Sequence, residues 1–154
     1  LFEGTNVSEG RGTTRPFELI GAPWVDADAL ADTLATYHLP GVHVRAAVFE
    51  PTFHKHAKTT CGGCQIHVLE RRNFRDVETA VAILVEIRRQ NPAKFAWRQP
   101  PYEYEYEKLA IDILAGSTTL REQVEGDVPL SEIAQSWRPD LERFEKTRRP
   151  YLLY

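Results

Sequence analysis

Hydrophobic residues are slow to organise in this chain. Its first eighteen positions, LFEGTNVSEGRGTTRPFE, are mostly Glu, Asn, Arg, Thr, Ser and Gly, and periodic patterns begin only afterwards. FELIGAPW (Phe17 to Trp24) reads as a short extended segment closed by Gly21 and Pro23. Asp26 suits the N-cap of a helix over 27–38, with Leu30, Leu34 and His38 on one face, and Pro40–Gly41 stops it. From Val42 to Glu50, Val42, Val44, Ala46 and Val48 alternate with His43, Arg45, Ala47 and Phe49, a strand pattern that Pro51 ends. Cys64 to Glu70 predicts a second strand. RDVETAVAILVEIRRQNP then places Val77, Ala80, Val81, Leu84 and Ile87 at helical spacing. Arg88 and Arg89 sit near its end and Asn91–Pro92 follows as the stop.

YEYEYEK (Tyr102 to Lys108) alternates aromatic and charged residues, which predicts a half-buried strand with its acids in water. It leads into a short helix at LAIDILAG. Thr119 and Glu122 fit a capping box opening a further helix that Gly126 closes. Ser131 is positioned to cap a last helical stretch, interrupted or kinked at Pro139. Strands and helices are interspersed without regular alternation. The expectation is an α+β fold, one compact domain over 1–154, with a small mixed sheet and about four to five helices.

Composition narrows the functional classes. At 154 residues, 42% apolar and 27% charged, the chain can bury a core of its own. A net charge of -3 argues against the broad basic face of a nucleic-acid binder. No apolar run approaches the ~20 residues of a membrane helix, so no membrane partner is expected. Two cysteines are too few for a disulfide framework and leave the redox compartment open. The absence of methionine and the abrupt polar start lead us to expect the C-terminal portion of a longer protein.

The opening segment carries the densest chemistry. Gly4, Gly10 and Gly12 permit close backbone approach, while Glu3, Asn6, Thr13 and Thr14 offer short polar arms. Arg11 and Arg15 present planar forks suited to a carboxylate or phosphate, and Phe17 and Trp24 supply apolar faces. The inventory suits a hydroxyl-rich anionic ligand such as an acidic sugar. Neither G-x-x-x-x-G-K-[ST] nor G-x-G-x-x-G is satisfied, which argues against a nucleotide cradle, and no cofactor is expected. Arg–Glu pairs holding a purely structural turn remain the alternative.

EGTNVSEGRGTTRPFELIGAPW, LPGVHVRAAVFEPTF, CGG followed by QIHV, and the terminal PYLLY together resemble the C-terminal half of the NamZ-like exo-β-N-acetylmuramidases, over the whole of 1–154. The resemblance implies a bacterial enzyme of cell-wall recycling that removes terminal N-acetylmuramic acid from peptidoglycan fragments. It further implies an N-terminal Rossmann-like domain, missing from this chain, and an active site in the cleft between the two domains. Extracellular or periplasmic localisation of the full-length protein follows from that substrate. Glu3, Asn6, Arg11, Thr14, Arg15 and Glu18 become substrate-contact candidates, and His67 a further one. Of the acids, Glu3 is the better catalytic candidate, flanked by residues able to orient it; an Arg fork is the natural partner of a lactyl carboxylate. With one of two carboxyl groups elsewhere, the fragment alone is expected to be inactive.

Other features compete. His54, His56, Cys61, Cys64 and His67 have metal-like spacing, but family members usually carry an aliphatic residue at the position of Cys64, so no metal is expected. Buried thiols and a Cys61–Cys64 disulfide both stay open. Tyr102, Tyr104 and Tyr106 offer a sugar-stacking alternative to the strand, and Trp97 and Trp137 read as core. The tail Tyr151, Leu152, Leu153 and Tyr154 is expected to pack back on the domain. The face left by the missing domain is expected to expose apolar area and to favour self-association. A stand-alone carbohydrate-binding or protein-interaction module is the alternative function.

Overall fold

The computed structural model describes residues 1–153. Its central element is the helix Asp76–Gln90, in which every residue from Val81 to Ile87 is buried. The run AVAILV is apolar around its whole circumference, and such a helix must be enclosed on nearly all sides. A three-stranded sheet of β1 (Leu19–Ala22), β2 (Val42–Phe49) and β3 (Cys61–Val68), in the order β1-β3-β2, contributes Ile20, Ala22 and Cys64 to the same buried cluster. Between β1 and β2 runs α1 (Ala27–Ala35), and the central helix is α2. Asp26 caps α1 as expected, accepting from the Ala29 amide at 3.0 Å. The Gln90 carboxamide clamps that cap to the end of α2 through two bonds, from Asp26 N at 2.8 Å and to Asp26 O at 3.0 Å. Leu30 and Leu34 are buried, but the helix ends before His38, which is exposed with φ 50°.

The sheet is antiparallel throughout, where the sequence suggested a mixed one. The connection through α1 joins β1 and β2, which run the same way, but β3 lies between them and reverses both pairings. β3 also begins three residues earlier than its hydrophobic pattern suggests. Gly62 and Gly63 mask the strand by propensity, yet the packing demands them. A Cβ on Gly62 would lie 2.0 Å from the Val25 carbonyl oxygen, and one on Gly63 2.0 Å from that of Ile20.

YEYEYEK is not a strand. It forms turns, closed by reciprocal bonds between Tyr102 and Glu105 at 2.9 and 3.0 Å, and leaves Tyr104 93% and Tyr106 73% exposed. Alternation alone makes no strand when no sheet edge is in reach. Four further helices follow: α3 (Ala110–Ala115), α4 (Thr119–Glu125), α5 (Leu130–Ser136) and α6 (Arg138–Arg148). The last two are separated at Trp137, two residues before the break expected at Pro139, which instead stands in the first turn of α6 where its missing N–H is harmless. The expected caps differ: the Thr119 amide donates to the Ser117 hydroxyl oxygen at 3.3 Å, and Pro129 precedes α5 in place of a Ser131 cap. Ile111, Leu120, Val124, Leu130 and Ile133 are buried, whereas α6 buries no residue. Trp97 and Trp137 pack against the core. The tail does not pack back: Tyr151 and Leu153 are 82% and 94% exposed, and Tyr154 lies outside the described residues. Among the described residues, no helix is long and apolar enough to cross a membrane.

Gly62→Ala is expected to cost about 3 kcal/mol, the upper range for single substitutions, because backbone must move. Asp26→Ala should cost about 1 kcal/mol through the lost cap. Urea denaturation of the two variants checks both values and their order.

Candidate functional site

The opening segment is folded into the domain through its backbone. Residues Phe2–Gly4 make a short 3-10 turn, and the Thr5 hydroxyl, donating to Phe2 O at 2.9 Å, also accepts from Val7 N at 3.0 Å. Ser8 then pairs with Gly21 of β1 through bonds of 2.8 and 3.0 Å. Asn6 is spent in the same way: its amide donates to Lys94 O at 2.8 Å and its carbonyl accepts from Ala96 N at 2.9 Å. It fixes the 94–96 segment and takes no place in the cleft described below. Gly12, at φ 84°, presses against the backbone of Thr52 and Phe53 and accepts from both the Thr52 amide and hydroxyl.

Beneath this loop lies a buried charge centre. Glu9, 2% exposed, receives Lys55 Nζ at 2.8 Å on one oxygen and Arg11 Nε at 3.0 Å on the other. Lys55 directs its remaining donors to Phe2 O at 2.9 Å and Val7 O at 3.0 Å, so its ammonium is fully satisfied. Burial pulls the Lys55 ammonium below the usual lysine range, partly opposed by Glu9. Arg11 bridges outward: its Nη2 binds Glu3, whose second oxygen accepts from the Tyr102 hydroxyl at 3.2 Å. Its guanidinium lies 4.9 Å from the Phe17 ring centroid, a cation–π contact.

Glu3, Glu9, Phe17, Glu18, Ile66 and His67 line part of an open cleft of about 710 Å³. The Arg11 hydrogen bond, followed by that from Tyr102, holds the Glu3 carboxyl below the usual glutamate range. Glu18 is lowered likewise, first by Arg15 at 3.1 Å and then by the Gln65 amide at 3.3 Å. Both carboxyls are therefore ionised at neutral pH, suited to accept a proton or a hydroxyl and not to donate. Of the residues expected from sequence, Glu3, Glu18 and His67 reach the cleft, with Arg11 and Arg15 paired to the first two. Thr14 is exposed on the loop.

The metal-like cluster is dispersed. His56 Nε2 meets Asn6 O at 2.7 Å, His67 Nε2 meets Arg45 Nε at 3.1 Å, and His54 Nδ1 lies 3.8 Å from Glu9. Cys61 and Cys64 are free and buried, three positions apart on a strand and thus on opposite faces; burial pushes their thiols up to about 11 and about 12. Among the described residues no group of three His, Cys, Asp or Glu is placed to hold a metal ion.

The family described as exo-beta-N-acetylmuramidase NamZ, C-terminal, matches residues 1–154. The chain belongs to this family. It is 42% identical over 154 residues to the peptidoglycan beta-N-acetylmuramidase NamZ of Bacillus subtilis (strain 168), covering all of this chain and 35% of that protein. Two crystal structures of DUF1343 family proteins from Bacteroides fragilis NCTC 9343 are similar, each at 25% identity. One has a TM-score of 0.81 over 97% of this chain, the other 0.61 over 99%, and each match covers 38% of the larger chain. The chain thus spans little more than a third of the length of these relatives.

For this NamZ-family domain, residue types alone did not disclose Glu9, Lys55, Tyr102 and Arg45. Glu9 stands in plain view in the opening motif, next to the equally visible Glu3, but its burial is set by Lys55, 46 positions away. Tyr102 is 99 positions from the carboxylate it binds. Local spacing holds no signal for either.

Lys55→Met should cost about 3–5 kcal/mol in urea denaturation, because Glu9 stays buried with one cation fewer and two carbonyls lose their donor. A loss below about 1 kcal/mol would contradict the buried-pair account. Followed by carboxyl carbon NMR, Glu3 should titrate below the ordinary value of about 4.3. Arg11→Met should raise that midpoint more than Tyr102→Phe does. Because the folded value is depressed, the Glu3–Arg11 contribution to stability is complete above about pH 4.3 and fades as pH falls through the folded midpoint.

Proposed function

We propose that this domain forms one wall of the active-site cleft of an exo-β-N-acetylmuramidase acting on the terminal N-acetylmuramic acid of peptidoglycan fragments. The relatives extend well beyond the match, which supports a second wall on an N-terminal, Rossmann-like part. The reading rests on one observation above all: an ionised Glu3, clamped between Arg11 and Tyr102, lines a cleft that also offers apolar surface at Phe17 and Ile66. Glycoside hydrolysis uses one carboxyl group as acid and another as base or nucleophile. Held as an anion, Glu3 suits the second part, and the acid then comes from the other wall.

Arg11 spends its fork on Glu9 and Glu3, so the lactyl carboxylate falls to Arg15, which is 58% exposed and uses only Nη1 on Glu18. Thr14, Glu18 and His67 take hydroxyl and acyl groups beside it. A peptidoglycan substrate argues for a full-length protein outside the cytoplasmic membrane, in the periplasm or beyond. Leu141 and Phe144, exposed on a helix that buries nothing, favour association of the isolated domain with itself.

Titration of the isotopically labelled chain with N-acetylmuramic acid, against N-acetylglucosamine as control, tests this reading. Muramic-selective NMR shifts are expected at Thr14, Arg15, Phe17, Glu18 and His67, and Arg15→Met should abolish the selectivity. Equal responses to both sugars, or none to either, would overturn a sugar-reading role for this domain.

A further inference from the structure

The residue that orders the polar side of the cleft lies outside the opening loop. Arg45 projects from β2 and is exposed, while its three arms are all engaged. Nε donates to His67 Nε2 at 3.1 Å, Nη2 donates to the Gln65 carboxamide oxygen, and Nη1 donates to Ala46 O at 3.2 Å. Gln65 is its direct partner across the ladder, and His67 lies two positions further along β3, opposite His43.

A guanidinium has donors only. The nitrogen facing Arg45 must therefore offer its lone pair, which leaves the His67 proton on Nδ1. The same argument fixes the Gln65 amide. Its oxygen faces Arg45, so its nitrogen faces Glu18, at 3.3 Å from the oxygen that Arg15 also binds at 3.1 Å. His67 and Glu18 both line the cleft; Arg45 orients the first directly and reaches the second through Gln65, beside Arg15.

We propose that Arg45 is a positioning residue that locks His67 as the neutral Nδ1–H tautomer, making it a fixed hydrogen-bond donor among acceptor carboxylates. Glu3 and Glu18 as anions can only accept. An acyl oxygen, such as the acetamido carbonyl of an amino sugar, needs a donor, and His67 supplies it without carrying charge. This role for the ligand rests on the reading proposed above; the tautomer does not.

The test reads the tautomer directly, in the ligand-free chain, by long-range proton–nitrogen correlation of the imidazoles. His67→Gln identifies the signals. Wild type should show His67 protonated at Nδ1 and bare at Nε2. Arg45→Met should return it to the Nε2–H form that free imidazole side chains favour, while His43→Gln should leave it unchanged. An Nε2–H pattern in wild type, or a pattern indifferent to Arg45→Met with amide spectra showing an intact fold, overturns the proposal. Titration with N-acetylmuramic acid then separates the two readings. Arg45→Met should weaken binding about tenfold, the loss of one oriented hydrogen bond. If wild type binds no sugar, the functional reading fails and the tautomer result stands by itself.

Discussion

A carboxylate removed from water must be met by cations and donors, and the way Glu9 is met organises everything around it. Lys55 threads beneath the opening loop and donates at once to Glu9 and to the carbonyls of Phe2 and Val7. Those three acceptors fix the path of the backbone from the 3-10 turn to the edge of the sheet. Arg11, held from below by Glu9, is thereby aimed at Glu3, and Tyr102 completes the clamp from another part of the chain. A loop rich in glycine and short polar residues has little intrinsic reason to be rigid. Here rigidity comes from desolvated charge, whose geometry admits few alternatives.

That origin explains what could be read in the sequence. α2 and β2 were legible because each writes its own period, and Asp26 announced α1 by a local rule. The start of β3 was hidden because the same glycines that let Val25 and Ile20 approach lower its strand propensity. YEYEYEK failed for the opposite reason: its alternation is strong, but a strand exists only through a partner, and none is provided. Around the cleft, residue types anticipated polar and arginine-bearing surface, and the long ordered motifs pointed to the family. Pairings were not legible. Asn6 reads as a ligand contact and serves instead as a bolt to Lys94 and Ala96. Arg11 reads as a carboxylate receptor, and it is one, but for carboxylates of its own loop.

The electrostatics of the cleft carry a mechanistic consequence. Glu3 and Glu18 are each held ionised by an arginine and a further donor. Such groups stabilise positive charge developing at a reacting carbon or orient hydroxyls; they are poorly placed to protonate a leaving group. On the function proposed above, a domain with two such anions would complement a partner surface that holds a protonated acid in a drier setting. The division of labour between walls would then follow from environment, with the hydrated, arginine-paired side kept basic.

Unequal strand lengths give the cleft its shape. β3 spans eight residues and is paired along its whole length with β2, but β1 covers only Leu19–Ala22, opposite Gly62–Gln65. Beyond Leu19 the chain turns back: Ile66 still donates to Glu18 O at 2.9 Å, and Phe17 N then reaches Glu9 O at 2.7 Å. The edge of β3 at Ile66 to Val68 is thus left without a strand, flanked by the loop on one side and the start of α2 on the other. A longer β1 would satisfy that edge and close the cavity. The short strand is therefore the architectural condition of the site. It lets apolar residues of the sheet, the imidazole of His67 and the carboxylates of the loop share one opening.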